Sequence, residues 1–298
     1  MGKALADSFP AAREVFAEVD DALGQKLSAI MWEGPAEELN LTANAQPALM
    51  ATSVAASRVL AAEAGLDIGR DVAFVAGHSL GEYSALAAAG AISLADTARL
   101  LRLRGDSMQK AVPVGIGAMA AILKLDGDAV RAIAAEAAQG EVCDVANDNG
   151  AGQVVVSGHK AAVERAAALA QEKGGRGMML TVSAPFHCAL MAPAAEAMKE
   201  ALAGTRIEVP AVLVVANVEA APISDPAAIR DALVRQVVGT VRWRECVEAM
   251  AARGVDGFLE VGAGKVLTGL VKRIAANGKA ASFGQPADLD GARAILGA

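Results

Sequence analysis

The stretch Asp71-Val-Ala-Phe-Val-Ala-Gly77-His-Ser79-Leu-Gly81-Glu-Tyr-Ser-Ala-Leu-Ala-Ala-Ala89 decides the fold. Its first six residues are a short apolar run bounded by a glycine turn, the signature of a strand buried on both faces. From Glu82 to Ala89 the composition is helical. Gly77-His78-Ser79-Leu80-Gly81 lies between the two and matches the Gly-x-Ser-x-Gly pattern of a nucleophile elbow. Glycines suit that turn because chain segments must approach one another closely there. The serine hydroxyl then projects above the sheet edge. The helix that follows offers free backbone N–H groups and the positive end of its dipole, so the N–H of Leu80 can face a developing oxyanion. Ser79 is therefore the expected covalent nucleophile.

Outward from this stretch, strands alternate with helices. Helices are expected over residues 10–24, from Gln46-Pro47 to about Gly65, and over 94–110, 193–203, 226–238 and 243–253. Strands are expected at 211–218 and 257–261. Such alternation implies an α/β domain with a mostly parallel sheet, hydrolase-like in its elbow. Residues 114–183 break the rhythm. Strand-like 118–124, helical 126–138, strand-like 141–147 and 153–157, helical 160–172 and strand-like 177–182 follow one another. That order is β-α-β-β-α-β, the split ferredoxin-like arrangement. The expected organisation is a large domain from 1–113 and 184–298 with a small ferredoxin-like domain, 114–183, inserted in it.

Composition narrows the function classes. In 298 residues, 54% hydrophobic and 20% charged content supports a sizeable core rather than a disordered chain. The formal charge of −7 argues against a general nucleic-acid or anionic-membrane binder. No apolar run is long enough for a membrane span, and residues 1–20 lack the order of a signal peptide. Cys143, Cys188 and Cys246 have no metal-ligand spacing and, being three, cannot all pair within the chain. Reduced thiols in a cytoplasmic protein are expected. No metal, nucleotide or flavin motif is present, so no metal or cofactor is expected.

A serine hydroxyl needs a base, and there are three histidines. His78 adjoins the serine in the turn, and a packing role suits it. His159 lies in a Ser157-Gly158-His159 turn at a helix start. His187 sits where the chain returns from the small domain to the large one, and inter-domain clefts are common ligand sites. It is the expected base. Cys188 beside it lacks an elbow.

These residues resemble a known family. Gly77–Leu86 is similar to the active-site segment of malonyl-CoA:acyl-carrier-protein transacylases. Arg102-Leu-Arg104-Gly105-x-x-Met108-Gln109 resembles the family's carboxylate-binding segment, Ser183–Met191 its histidine segment, and Glu260–Leu267 its C-terminal glycine loop, with Ala263 where proline is usual. The resemblance covers nearly the whole chain. It implies ping-pong transfer of a malonyl group from malonyl-CoA, through a Ser79 ester, to the phosphopantetheine thiol of acyl carrier protein in fatty acid synthesis. It further implies His187 as base, oriented by a backbone carbonyl near Gln236. Arg104 becomes the clamp for the malonyl carboxylate, a task suited to its planar fork. Asn147 and Gln153 match positions along the cleft, although Asn147 also suits a hairpin. Phe186 matches a malonyl-selective position, where a ring crowds a branched acyl group.

The resemblance also implies an apolar strand and a Gly-Gln-Gly-Ser-Gln-like loop carrying a second oxyanion donor, and the residues from Met1 to Leu5 match neither. The expectation is a chain impaired relative to a form with that segment. Acyl carrier proteins are acidic, so Lys173, Arg176, Arg242, Arg244, Lys265, Lys272 and Arg273 are candidate docking cations, each equally readable as a solvated helix face. A monomer is expected. Three other readings stay open at this point. One is an esterase or thioesterase using Asp225 or Glu260 as the histidine's acid partner. Another is a polyketide-type acyltransferase, and the third is a non-enzymatic scaffold that binds carrier protein.

Overall fold

The computed structural model describes residues 1–297. The apolar run of the elbow stretch pairs as a strand only over Phe74–Ala76 (β1), with a helical turn at Ile68–Asp71 before it. Asp67 starts that turn by accepting the N–H of Gly69. The helix after the elbow runs from Leu80 to Ala88, so it begins two residues earlier than the composition suggests. Leu80 thereby becomes its first residue, with an N–H that helix geometry leaves without an intrahelical acceptor.

The inserted unit follows its sequence pattern closely. Its strands are Gly117–Leu123 (β2), Cys143–Asp148 (β3), Gln153–His159 (β4) and Arg176–Met179 (β5). They form an antiparallel sheet in the order β3-β4-β2-β5. The helices Gly127–Ala138 and Lys160–Glu172 cover one face. Ala120 and Ile122 of β2 and Val154 and Val156 of β4 meet Val130, Ile133, Val163 and Ala166 there in a core of their own. The alternate residues Met119, Ala146 and Val155 point the other way and receive Phe186 from the loop after the sheet, as the two-residue strand period requires.

The remaining strands are Leu213–Ala216 (β6), Ala221–Ile223 (β7), Gly257–Val261 (β8) and Lys279–Phe283 (β9). The expected mostly parallel sheet is present in two pieces. β1 and β6 are parallel with β7 added antiparallel, and β8 pairs with β9 in parallel. The two pieces do not share a ladder. A large core built from the helices Pro10–Leu23, Thr42–Ala64, Leu94–Lys110 and Ala192–Ala203 packs beside them. Small residues bring these helices close. A Cβ on Gly105 would lie 2.6 Å from the Thr42 carbonyl oxygen, so only glycine admits that approach.

Two boundaries differ in ways that matter to the site. The helix expected to start at Gln46-Pro47 starts at Thr42 and carries Pro47 inside it. Its extra turn buries Gln46. β3 has a bulge between Val145 and Asn147, and the strand then bridges to Val241. Val241 donates to Ala146 O at 2.8 Å and accepts from Asp148 N at 3.0 Å. These bonds tie the small sheet to the segment between the helices Pro226–Val238 and Trp243–Ala251.

Candidate active site

The parallel register of β1 and β6 sets the site at the C-terminal ends of both strands, where open α/β sheets form crevices. Ser79 leaves β1 with φ 53° and ψ −112°, outside the regions that L-residues favour. Such a conformation costs about 1–3 kcal/mol and persists only where its surroundings enforce it. Gly77 makes the turn possible: a Cβ there would lie 2.0 Å from the Gly81 carbonyl carbon and oxygen.

Ser79 Oγ lies 2.8 Å from His187 Nε2. The other ring nitrogen, Nδ1, lies 2.9 Å from the Gln236 carbonyl oxygen. A carbonyl only accepts, so Nδ1 carries the proton and the Nε2 lone pair faces the serine hydroxyl. Gln236 is in the last turn of the helix Pro226–Val238, where carbonyls lack intrahelical donors. His187 is 4% exposed. Burial, and next the positive charge of Arg104, push its pKa down to about 3. The imidazole is therefore neutral at neutral pH.

Arg104 is 1% exposed, inside the helix Leu94–Lys110. Nη1 donates to Gln46 Oε1 at 2.7 Å. Nη2 donates to Gln236 Oε1 at 2.9 Å and to Ser79 Oγ at 3.1 Å. Its guanidinium carbon sits 5.8 Å from the Tyr83 ring centroid, within cation–π range. Nε has no partner, and among the described residues no carboxylate oxygen lies within 4.0 Å of the guanidinium. A buried charge without an ion partner costs free energy. Here the group is held by neutral amides beside a nucleophile, the arrangement expected of a site awaiting an anionic ligand.

Beneath the elbow lies a buried polar network. Glu82 Oε2 accepts from Asn217 N at 2.9 Å and Gln236 Nε2 at 2.8 Å. Burial is the main reason that its pKa rises to about 7, against the opposing pull of those donors and Arg104. Asn217 Oδ1 accepts the Ser79 N–H at 2.8 Å, and Asn217 Nδ2 donates to Gly77 O at 2.8 Å. The Ser79 N–H is thus occupied, and the Leu80 N–H is the elbow donor left for an oxyanion.

The structure brings Ser79, Leu80, His187, Arg104 and Gln236 together, and it adds Gln46, Glu82 and Asn217, which sequence reasoning passed over. Gln236 does more than lend a carbonyl, since its side chain joins Arg104, Glu82 and, at 3.1 Å, Ser79 O. Phe186 is half-buried against Met119, Ala146 and Val155 beside the histidine loop. Asn147 and Gln153 make no hydrogen bond to this group. Asn147 is buried at the bridge to Val241, and Gln153 Oε1 accepts from Arg273 at 3.2 Å on the outer surface.

His78 turns away, with Nε2 2.9 Å from Asn149 Oδ1 and its ring against Trp243. His159 Nδ1 accepts from Val142 N at the helix start. The acid partners considered for an esterase lie elsewhere: Asp225 caps its helix through Ala228 N, and Glu260 holds Leu267 N and Thr268. Among the candidate docking cations, Lys173, Arg242, Arg244 and Lys265 are engaged with Glu136, Glu245, Asp148 and Asp288. No cluster of His, Cys, Asp and Glu able to hold a metal occurs among the described residues. No helix there is long and apolar enough to cross a membrane.

A strained serine, a neutral histidine steered by a carbonyl and a buried cation with an open charge define a class, and the acyl transferase domain family matches residues 1–287. Among the relatives, malonyl CoA-acyl carrier protein transacylase of Escherichia coli K12 is 50% identical over 95% of this chain and 90% of its own length. The crystal structure of the acyl-carrier-protein S-malonyltransferase from Bartonella henselae superposes with a TM-score of 0.97. It is 55% identical and covers 100% of this chain and 95% of its own. A malonyl-transacylase solved in complex with a type II polyketide-synthase acyl-carrier protein gives 0.94 at 45% identity, covering 99% of this chain and 94% of its own. The chain belongs to the malonyl CoA-acyl carrier protein transacylase family of acyl transferases.

Proposed function

We propose that this chain moves the malonyl group of malonyl-CoA onto the phosphopantetheine thiol of an acyl carrier protein, supplying extender units for fatty acid synthesis. The observation that carries the reading is Arg104: a fully buried guanidinium with no carboxylate partner, 3.1 Å from the nucleophile. A short acyl group ending in a carboxylate supplies the missing anion, and an acetyl group does not.

In the first half-reaction, Ser79 Oγ attacks the thioester carbonyl while its proton passes to His187 Nε2. The oxyanion forms toward the Leu80 N–H. Collapse breaks the carbon–sulfur bond, and the leaving thiolate takes the proton from His187. The malonyl carboxylate meanwhile accepts from the Arg104 fork. In the second half, the carrier thiol gives its proton to His187 and attacks the ester carbonyl. Ser79 leaves and recovers the proton. The low basicity of His187 has the charge of Arg104 as its second cause. A bound carboxylate compensates that charge, so the base strengthens when the right acyl group is in place. Acetyl gives no such compensation, while crowding by Phe186 acts separately, against branched acyl groups.

The absence of an acid partner behind His187 weighs against an esterase, as Asp225 and Glu260 are committed to other backbone groups. The small sheet, with its own core, supports treating residues 114–183 as a separate domain whose second face packs against Phe186 beside the histidine loop. Arg176, Lys272 and Arg273, which have no carboxylate within 4.0 Å among the described residues, remain the cations best suited to an acidic carrier. The three thiols are buried and unpaired, in keeping with a reducing, cytoplasmic setting. We take the protein as a monomer without metal or cofactor.

Initial rates with malonyl-CoA and holo acyl carrier protein test the reading. Parallel double-reciprocal lines and malonyl-carrier product are expected. Hydrolysis of malonyl-CoA at the same rate without carrier would overturn it.

A further inference from the structure

Asn217 follows β6 and takes no part in the chemistry above, yet both ends of its side-chain amide are engaged with the nucleophile's turn. The register that sets Ala76 opposite Val215 and ends both strands together carries Asn217 beside His78 and Ser79. The residue is fully buried. Its Oδ1 accepts from Ser79 N and its Nδ2 donates to Gly77 O, each at 2.8 Å. Its own N–H is fixed by Glu82 Oε2 at 2.9 Å, and Gln236 Nε2 lies 3.4 Å from Oδ1. One amide therefore grips the two peptide groups that flank His78, immediately before Ser79 with its positive φ.

We propose that Asn217 is a positioning residue for acyl transfer: its side-chain amide holds Ser79 in the strained turn that aims Oγ at His187 and occupies the Ser79 N–H, so that the Leu80 N–H serves the oxyanion. This rests on Ser79 being the nucleophile of the proposed function. The grip requires one acceptor and one donor in a side chain of this length, which an amide provides. An ionised carboxylate would accept from Ser79 but repel the Gly77 carbonyl. A methyl group would release both. The bonds fix the two peptide groups that lead into the strained residue, so their loss lets the turn relax and Oγ drift from Nε2. Contacts to the acyl carboxylate through Arg104 stay in place.

The test uses the full chain carrying Asn217→Ala or Asn217→Asp. Three quantities are measured beside wild type: labelling of Ser79 by phenylmethylsulfonyl fluoride, single-turnover loading from malonyl-CoA, and the melting temperature. The sulfonyl fluoride has neither carboxylate nor coenzyme, so it reports on the serine alone. For Asn217→Ala, labelling and saturated loading should both fall by about 10- to 100-fold, the scale of a misplaced reacting group. The malonyl-CoA concentration at half-saturation should stay within about threefold, because remote binding is untouched.

Asn217→Asp supplies a readout that loss of folding would not give. Its carboxyl is buried against Glu82, which favours the protonated form, and that form again has one donor and one acceptor. Its loading rate should recover as pH is lowered through the weakly acidic range, while Asn217→Ala shows no recovery. Wild-type rates of labelling and loading in Asn217→Ala would overturn the proposal. So would losses that only track the unfolded fraction, with no low-pH recovery in Asn217→Asp. Wild-type protein that is labelled but never malonylated would instead defeat the proposed function, and the labelling arm would still decide the role of Asn217.

Discussion

Replacing Arg104 by alanine should invert the acyl preference rather than silence the serine. The guanidinium is buried, neutral amides hold it, and no carboxylate lies within 4.0 Å among the described residues. Two charge-assisted hydrogen bonds to an acyl carboxylate contribute about 1.5–3 kcal/mol each, or about 3–6 kcal/mol together. At about 1.4 kcal/mol per tenfold, kcat/KM for malonyl-CoA should fall by about 10²–10⁴. Acetyl-CoA has no carboxylate to lose and, in the wild type, must enter beside an uncompensated charge. Its kcat/KM should change by less than about tenfold, in either direction.

Arg104→Lys keeps the charge without the fork and should fall between. Because the change strips the Gln46 and Gln236 amide oxygens of a donor, melting curves should accompany the kinetics. The assay is kcat/KM for malonyl-CoA and acetyl-CoA, with holo carrier protein as common acceptor. Equal losses for both substrates would refute the reasoning, for Arg104 would then act on the serine through its 3.1 Å contact and not on the acyl group.

Two further outcomes follow from the elbow and the network beneath it. Gly77→Ala forces a Cβ to within 2.0 Å of the Gly81 backbone, whereas a Cβ on Gly81 meets nothing within 4 Å. Thermal or urea melts should show Gly77→Ala less stable by about 1–3 kcal/mol, with Gly81→Ala close to wild type; equal stability of the two would contradict the turn geometry. Glu82 concerns pH. Its folded pKa, about 7, lies above its ordinary 4.5, so the folded state holds the proton more tightly than the unfolded chain. The associated stability is present below pH 4.5 and is lost as pH rises toward 7. Glu82→Gln cannot ionise, so its stability relative to wild type should improve between pH 5 and pH 8, read as the difference in melting temperature. A difference that is independent of pH would show that Glu82 is ionised throughout.

Ser79 and His187, which the structure places 2.8 Å apart, leave local marks: a strand–glycine–helix junction for the serine and a segment between two patterns of periodicity for the histidine. Arg104 leaves none, for without the resemblance of Arg102–Gln109 to a family segment it reads as a surface helix arginine. The ferredoxin-like unit was legible because each helix and strand has a face whose period shows in the sequence, as in Ala120 and Ile122 against Met119.

What escaped reading depends on tertiary proximity. Asn217 ends the apolar run Leu213–Ala216, and a polar residue at the C-terminal end of a buried strand was the one available signal. Glu82 reads as an exposed first-turn acid and is in fact 1% exposed. Gln46 falls at the edge of its helix if proline marks the start, whereas the helix begins five residues before Pro47 and carries it inside. The helix Val266–Ile274 shows apolar residues at 266, 267, 270, 271 and 274, a legible period obscured by Gly269. β7 and β9 are short and half-buried, with no alternation to mark them.

The central claim is a covalent malonyl ester on Ser79. It is tested most directly by intact-protein mass spectrometry after mixing the chain with malonyl-CoA in the absence of carrier protein. The account predicts the mass gain of a single malonyl group, discharged on adding holo acyl carrier protein and absent from Ser79→Ala. A wild-type protein that gains no mass under conditions where malonyl transfer proceeds, or a Ser79→Ala protein that keeps the adduct, would contradict it.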